Sequence, residues 1–160
     1  MDYRIGFGYD VHKLEEGFPL TLGGIQIEHN KGAKGHSDAD CLIHAICDAL
    51  LGAANLRDLG YHFPDNDPQF KDIDSKKLLA RVVKLLTDEG WTTGNIDATV
   101  ILQKPRLSNY IETMKSKLAE TMGCETSQVS IKATTTEKMG FTGTEEGIAA
   151  HAVALIRSKS

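Results

Sequence analysis

The sequence predicts a single domain of the α+β (mixed α/β) class, on three observations. Short apolar runs with alternating spacing interleave with longer stripes at helical spacing. Glycine or proline closes most of these segments. A chain of 160 residues without linker, repeat or low-complexity tract is the size of one domain with a real core.

Tyr3 to Val11 reads as the first strand, its glycines letting something approach the backbone. Leu20 to Leu22 and Ile25 to Ile27 flank Gly23-Gly24 and predict a hairpin. Ser37 or Asp38 is the expected N-cap of a helix running to about Gly52, with Leu42, Ile43, Ile46, Ala49 and Leu50 as its apolar face. Asn55 to Asp74 has no periodicity and reads as a functional loop. Asp74 or Ser75 starts a second helix, striped by Leu78, Leu79, Val82, Val83 and Leu86 and ended by Gly90. Ile96 to Leu102 is a strand stopped by Pro105, and Ser108 to Met122 a helix closed by Gly123. Val129 to Ala133 is a strand that runs into a polar turn. Ile148 to Ile156 is ambiguous: its alanines favour a helix, its length and two-sided apolarity a buried strand.

The formal net charge is −4, which leaves no footprint for nucleic acid or an anionic membrane. A small anionic ligand stays compatible, because a local site can be positive on an acidic protein. Cys41, Cys47 and Cys124 are odd in number and irregular in spacing, so a disulfide framework is not expected. No signal peptide and no membrane-length apolar stretch is recognisable. A cytoplasmic protein is expected, and Met1 directly before the first strand suggests a stand-alone chain.

Asp10 and His12 lie two apart at a strand end, so both side chains share one face. His44 sits in the first helix one turn after Asp40, which could steady its ring. Two nitrogens and one oxygen suit zinc with an open fourth position; manganese or iron fits the same donors. Asp-x-His alone is a common chance pattern. The polar cluster His36, Ser37, Asp38 and Asp40 at the helix start, where free N–H groups favour anions, strengthens it.

Lys132-Ala133-Thr134-Thr135-Thr136-Glu137-Lys138 is a second unusual run. Its hydroxyls and turn N–H groups suit phosphate oxygens, and Glu137 suits a hard cation; a plain polar turn is the alternative. Gly140-Phe141-Thr142-Gly143 can press close to a ligand or merely turn. Phe63-Pro64-Asp65-Asn66-Asp67 offers acids to polyol hydroxyls, or is a solvated turn.

Taken together, Gly-Tyr-Asp-Val-His at 8–12, His-Ser-Asp-Ala-Asp at 36–40, His44, Asp-Ala-Leu-Leu-Gly-Ala-Ala at 48–54, Phe-Pro-Asp-Asn-Asp at 63–67 and Lys-Ala-Thr-Thr-Thr-Glu-Lys-Met-Gly-Phe-Thr-Gly at 132–143 resemble the 2-C-methyl-D-erythritol 2,4-cyclodiphosphate synthase family. The resemblance spans essentially the whole chain. It implies a mixed four- to five-stranded sheet with helices on one face, and a homotrimer whose sheets face the axis and whose active sites lie between subunits. It makes the last segment a strand. It implies cyclisation of 4-diphosphocytidyl-2-C-methyl-D-erythritol 2-phosphate in the non-mevalonate route to isoprenoids: the 2-phosphate attacks the β-phosphorus and CMP leaves.

The same resemblance assigns roles. Zinc on Asp10, His12 and His44 would bind the β-phosphate, and magnesium or manganese at Glu137 would bridge the α- and β-phosphates. His36 and Thr135 would steady the transition state. Asp10, His12, His36 and Ser37 would contact substrate. Asp58, Gly60, Phe63, Asp65 and Asp67 would line the methylerythritol end. Cytidine would lie near Leu102 to Arg106 and Thr134, Thr135, Thr136 and Glu137 of a neighbour, and Phe141 and Thr144 are further expected substrate contacts. Three positions depart from the family's common pattern: Arg106 where Lys is frequent, Thr144 where Arg is, and His151 where Glu is. Thr144 and His151 lead us to expect weak or no binding of isoprenoid diphosphates on the trimer axis. A zinc-dependent phosphohydrolase and a non-catalytic trimeric nucleotide- or metal-binding module are the competing functions.

Overall fold

The computed structural model describes residues 1–159. In chain order the elements are β1 (Tyr3–Glu16), β2 (Leu20–Leu22), β3 (Ile25–Ile27), β4 (Lys31–Lys34), α1 (Cys41–Ala53), α2 (Leu59–His62), α3 (Ser75–Asp88), β5 (Trp91–Ile101), α4 (Ile111–Met122), β6 (Val129–Thr134), α5 (Gly140–Gly143) and β7 (Gly147–Ser158). Five strands form one sheet in the order β4-β1-β7-β5-β6, and β2 and β3 pair separately. The ambiguous last segment is the central strand, antiparallel to both β1 and β5, while β6 runs parallel to β5. β1, β5 and β6 therefore point the same way, and their C-terminal ends share one end of the sheet.

Alternation along β1 decides which face is covered. Gly6, Gly8 and Leu14 point inward, with Asp10 and His12 in the same phase. A Cβ on Gly6 would stand 1.9 Å from the Ala49 carbonyl oxygen, and one on Gly8 would stand 1.9 Å from that of Ala45. α1 thus lies backbone against backbone on β1. Its outer side is covered by α3, so apolar residues surround almost the whole helix. α3 and α4 cover β5 and β6 on the same side. The opposite face leaves Tyr3, Ile5, Phe7, Tyr9 and Val11 of β1 and Val153 of β7 exposed. The expected mixed sheet with helices on one face is what the chain forms.

Several boundaries differ from the sequence reading, each for a local reason. β1 continues past Val11 to Glu16, where its last four residues pair with β4. β4 itself was not predicted: Lys-Gly-Ala-Lys carries no apolar alternation and lies on the sheet edge, where lysines protect an open strand. α1 begins at Cys41, not after Ser37 or Asp38, because Ala39 takes φ 58° and interrupts any earlier turn. Asp40 is the N-cap. β5 starts at Trp91; an irregularity between Thr93 and Asn95 masks its early alternation. α4 starts three residues later than expected, at Ile111, and Gly123 closes it in the left-handed region as predicted.

The glycine contact has a direct test. Gly8→Ala should lower the unfolding free energy by about 3 kcal/mol or more, read from urea denaturation, because neither backbone can yield. Gly17→Ala is the control. Gly17 has φ +85° but open space around it, so the cost there should stay near the roughly 1–2 kcal/mol of left-handed backbone alone.

Candidate metal centre and the clefts around it

Asp10, His12 and His44 converge. Asp10 Oδ2 lies 2.9 Å from His12 Nε2 and 3.2 Å from His44 Nδ1. The two ring nitrogens are 3.1 Å apart. Donors bound tetrahedrally at zinc distances sit about 3.3–3.4 Å from one another, so the triangle needs only slight expansion to hold an ion. His12 Nδ1 donates to the Lys34 carbonyl at 3.2 Å, which leaves the Nε2 lone pair facing the other two donors. A carboxylate oxygen and imidazole lone pairs packed this closely need a shared positive charge, from a proton or a metal ion. Among the described residues this is the one grouping of three metal-competent side chains that close.

Burial pushes the Asp10 carboxyl up, but when a proton rather than a metal ion supplies the triad's positive charge, hydrogen bonds and charge from the His12 and His44 side outweigh it and hold it at about 2. Burial pushes the His12 imidazole down, but the hydrogen bond and charge of Asp10, with the Lys34 carbonyl, raise it above its ordinary value.

Asp40 does not steady the His44 ring, contrary to expectation. As N-cap residue it has extended backbone, and its carboxylate turns back to accept from Ile43 N at 3.0 Å. It also accepts from Gly23 N at 2.9 Å and Gly24 N at 2.8 Å, clamping the β2–β3 turn to α1. His44 Nε2 instead meets Ser75 Oγ at 2.9 Å and Ser37 Oγ at 3.1 Å.

His36, Ser37, Gly60, Phe63 and Asp65 line a cleft of about 590 Å³ together with His12 and His44. The segment 36–38 is stitched to the long loop. Asp72 N donates to His36 O at 2.7 Å, Asp38 N to Ile73 O at 3.1 Å, and His36 Nε2 to Asp67 O at 3.0 Å. The Asp67 carboxylate is occupied by Gln69, so this residue meets the cleft through the ring its carbonyl holds. Asp58 is exposed at the N-cap of α2 but makes no capping bond. Asp48 of α1 caps that helix instead, accepting from Leu59 N at 2.7 Å. Sequence reading missed Asp48. Its signal was the row Asp40, His44, Asp48 at intervals of four on an otherwise apolar helix.

A second cleft, of about 330 Å³, is lined by Leu102, Arg106, Thr134 and Thr135. In the sheet register Val11 lies beside Ala149, Ala149 beside Ile101, and Ile101 beside Thr134. Three strand spacings, roughly 14 Å, therefore separate the two regions. Thr135 Oγ1 accepts from Glu137 N at 3.2 Å, and Glu137 stands exposed at φ 53°. The Thr136 hydroxyl is spent inside the loop on Met139 O and Thr142. Phe141 packs against Gly147, and the Thr144 hydroxyl bonds back to Gly140 O at 3.1 Å. Each chain thus brings the metal half together and the threonine half together, but not the two with each other.

The chain is similar to known proteins over nearly its whole length. The YgbB family model matches residues 3–157.

The chain belongs to the YgbB family.

A 2-C-methyl-D-erythritol 2,4-cyclodiphosphate synthase from Porphyromonas gingivalis is 63% identical over 154 residues, 96% of this chain and 95% of the relative. The bifunctional IspDF of Campylobacter jejuni matches with TM-score 0.95 and 39% identity, over 98% of this chain and 42% of that longer one. A Plasmodium falciparum IspF in complex with CDP matches with TM-score 0.86 and 35% identity, over 99% of this chain and 97% of that one. The resemblance drawn from the motifs is borne out. Among the described residues of this family member, no helix is long and apolar enough to cross a membrane.

The site makes a prediction with opposite signs. In metal-free protein the raised His12 pKa contributes stability that is fully present below the ordinary histidine value and is lost as pH rises through the raised one. Zinc must displace that proton, so its affinity should rise over the same interval. Thermal melts between about pH 6 and 9 should show the zinc-free midpoint falling and the zinc-induced increment growing. Parallel trends would contradict the triad.

Proposed function

We propose that this protein cyclises 4-diphosphocytidyl-2-C-methyl-D-erythritol 2-phosphate to 2-C-methyl-D-erythritol 2,4-cyclodiphosphate with release of CMP. It acts as a homotrimeric phosphorus–oxygen lyase of the non-mevalonate isoprenoid route. The observation that carries the quaternary part is the separation of two half-sites on one rigid sheet, beside an exposed apolar sheet face. A diphosphate cannot span roughly 14 Å within one chain. Docking the open faces around a three-fold axis sets the metal half of one subunit beside the threonine half of the next. The CDP complex of the Plasmodium relative supports a cytidine nucleotide as ligand, and the cleft lined by Leu102, Arg106, Thr134 and Thr135 is the half of the site we assign to it.

The chemistry is phosphate attacking phosphate. An oxygen of the 2-phosphate bonds to the β-phosphorus, the bond from that phosphorus to the bridging oxygen breaks, and CMP departs with the electron pair. No protein nucleophile is needed, so alignment and charge neutralisation carry the rate. Asp10, His12 and His44 would hold zinc, and Glu137 would hold magnesium or manganese, each supplying Lewis acidity to phosphate oxygens. The Glu137 carboxylate enters no hydrogen bond or ion pair among the described residues, as a ligand for a second cation requires. His36, fixed through Nε2–H on Asp67 O, and the Ser37 hydroxyl face the cleft as phosphate contacts. Thr135 serves the same end from the neighbour. Asp48 takes over the cap of α2 and leaves the Asp58 carboxylate available to substrate hydroxyls. Three unpaired cysteines support a reducing, cytoplasmic setting.

Isoprenoid diphosphates should bind weakly on the axis. Thr144 offers a hydroxyl already used on α5, and His151 stacks beside Tyr9 with ring centroids 4.9 Å apart. Neither is a fixed positive charge, and tight binding of farnesyl diphosphate by calorimetry at about pH 8 would contradict this.

Two measurements test the main reading. Turnover in ¹⁸O-water should give CMP and an unlabelled cyclic product; label in the product would identify the hydrolase alternative. Co-expression of His44→Ala with Glu137→Gln should restore about a quarter of the sites in mixed trimers, although each variant alone is nearly inactive. A site contained in one chain would recover nothing.

A further inference from the structure

His44 has two ring nitrogens with different surroundings. Nδ1 faces Asp10 and His12; Nε2 faces Ser75 Oγ at 2.9 Å and Ser37 Oγ at 3.1 Å. The Ser75 hydroxyl donates its only proton to Asp38 Oδ1, and a carboxylate oxygen can only accept. Having given that proton away, Ser75 Oγ can only accept from His44. Nε2 must therefore carry a hydrogen, and in the neutral ring Nδ1 keeps the lone pair that faces the other two donors.

The relay is itself braced. Asp38 accepts from Ser75 N at 3.0 Å and from Asp40 N at 3.2 Å, and Ser75 is fully buried at the start of α3. Ser37 cannot do this work. Its oxygen accepts from Ala39 N at 3.1 Å, but its proton remains free, so it can give to or take from His44 with equal ease. It also lines the cleft, where substrate competes for it.

We infer that Ser75 and Asp38 are positioning residues that lock His44 in the Nε2–H tautomer and so present Nδ1 as a metal ligand. A carboxylate acting through an interposed hydroxyl does here what a direct carboxylate–histidine pair does at other metal sites. The inference rests on reading Asp10, His12 and His44 as a metal centre, but half of its test does not depend on any metal.

Long-range ¹H–¹⁵N spectra of metal-free wild-type protein with labelled histidine rings report the tautomer directly. Neutral His44 should be Nε2–H; an Nδ1–H ring overturns the relay. Ser75→Ala removes only the hydroxyl, keeping the backbone N–H that Asp38 accepts. It should yield mixed tautomers and raise the zinc dissociation constant about 10- to 100-fold, by competition with a chromogenic chelator. Zinc affinity within about twofold of wild type, with the tautomer unchanged, overturns it. Should Ser75→Ala fold poorly, Asp38→Asn keeps the shape, removes one acceptor and should move both readouts the same way. A wild-type protein that takes up no zinc sinks the metal reading alone, because the tautomer still judges the relay.

Discussion

The contact of α1 with β1 at Gly6 and Gly8 is the constraint on which the rest depends. A side chain at either glycine would place Cβ 1.9 Å from a helix carbonyl oxygen. Ordinary helix packing keeps axes 8–10 Å from their neighbours because side chains intervene. Here they do not, and the Cys41 thiol reaches the Asp10 carbonyl at 3.2 Å. That closeness lets a histidine from the first turns of the helix meet a carboxylate and an imidazole from the strand within about hydrogen-bond distance. Had residue 6 or 8 borne a side chain, α1 would stand off, and His44 would lose Asp10 before the fold itself was lost.

The same helix distributes three tasks along one row. Asp40 is completely buried, and burial pushes its carboxyl up, against backbone hydrogen bonds from Ile43, Gly24 and Gly23 that pull it down. A buried carboxylate is tolerable only with such a full set of donors. His44, one turn on, belongs to the triad that could hold a metal ion. Asp48, one turn further, is half-buried and caps α2 from eleven residues upstream of Leu59. Burial raises its carboxyl too, with Leu59 N opposing. Hairpin, candidate metal triad and the loop after α1 are thus registered to one rigid rod, which suits chemistry in which misplacement costs more than weak binding.

Elements with strong periodicity were readable from the sequence, because alternation and helical spacing are short-range properties; the candidate metal donors stood out from a chance pattern only through the polar cluster at 36–40 and the family resemblance. Asp10 and His12 follow from a period of two, and the helix containing His44 from its apolar stripe. What escaped depends on tertiary partners. β4 is polar and becomes a strand only because β1 extends to meet it, yet its Lys34 carbonyl sets the His12 tautomer. Asp40 at position i−4 from His44 looked like its partner, whereas the true partner, Ser75, lies thirty-one residues away. No local pattern distinguishes a serine that opens a helix from one that also orients a ligand. The split of the site into two halves was equally invisible to spacing; it is a consequence of strand order, and only the family resemblance anticipated it.

The charge arrangement gives the candidate metal centre a purpose. The cleft around His12 and His44 has no lysine or arginine among its described lining residues, while Asp65 lines it and Asp10 stands beside it. Two carboxylates without a lysine or arginine beside them would repel a diphosphate rather than gather one. Arg106 belongs to the other half, across the sheet. A protein could have solved this with an arginine in the metal half, but a guanidinium is a fixed fork that fills the space where two phosphates must meet. Three small donors with an open fourth position leave that space to the substrate and supply the positive charge only when a metal is bound. Cation uptake and phosphate binding then become one linked event, and the Ser75–Asp38 relay gains its importance from that link: a ring in the wrong tautomer would point a proton where the charge has to sit.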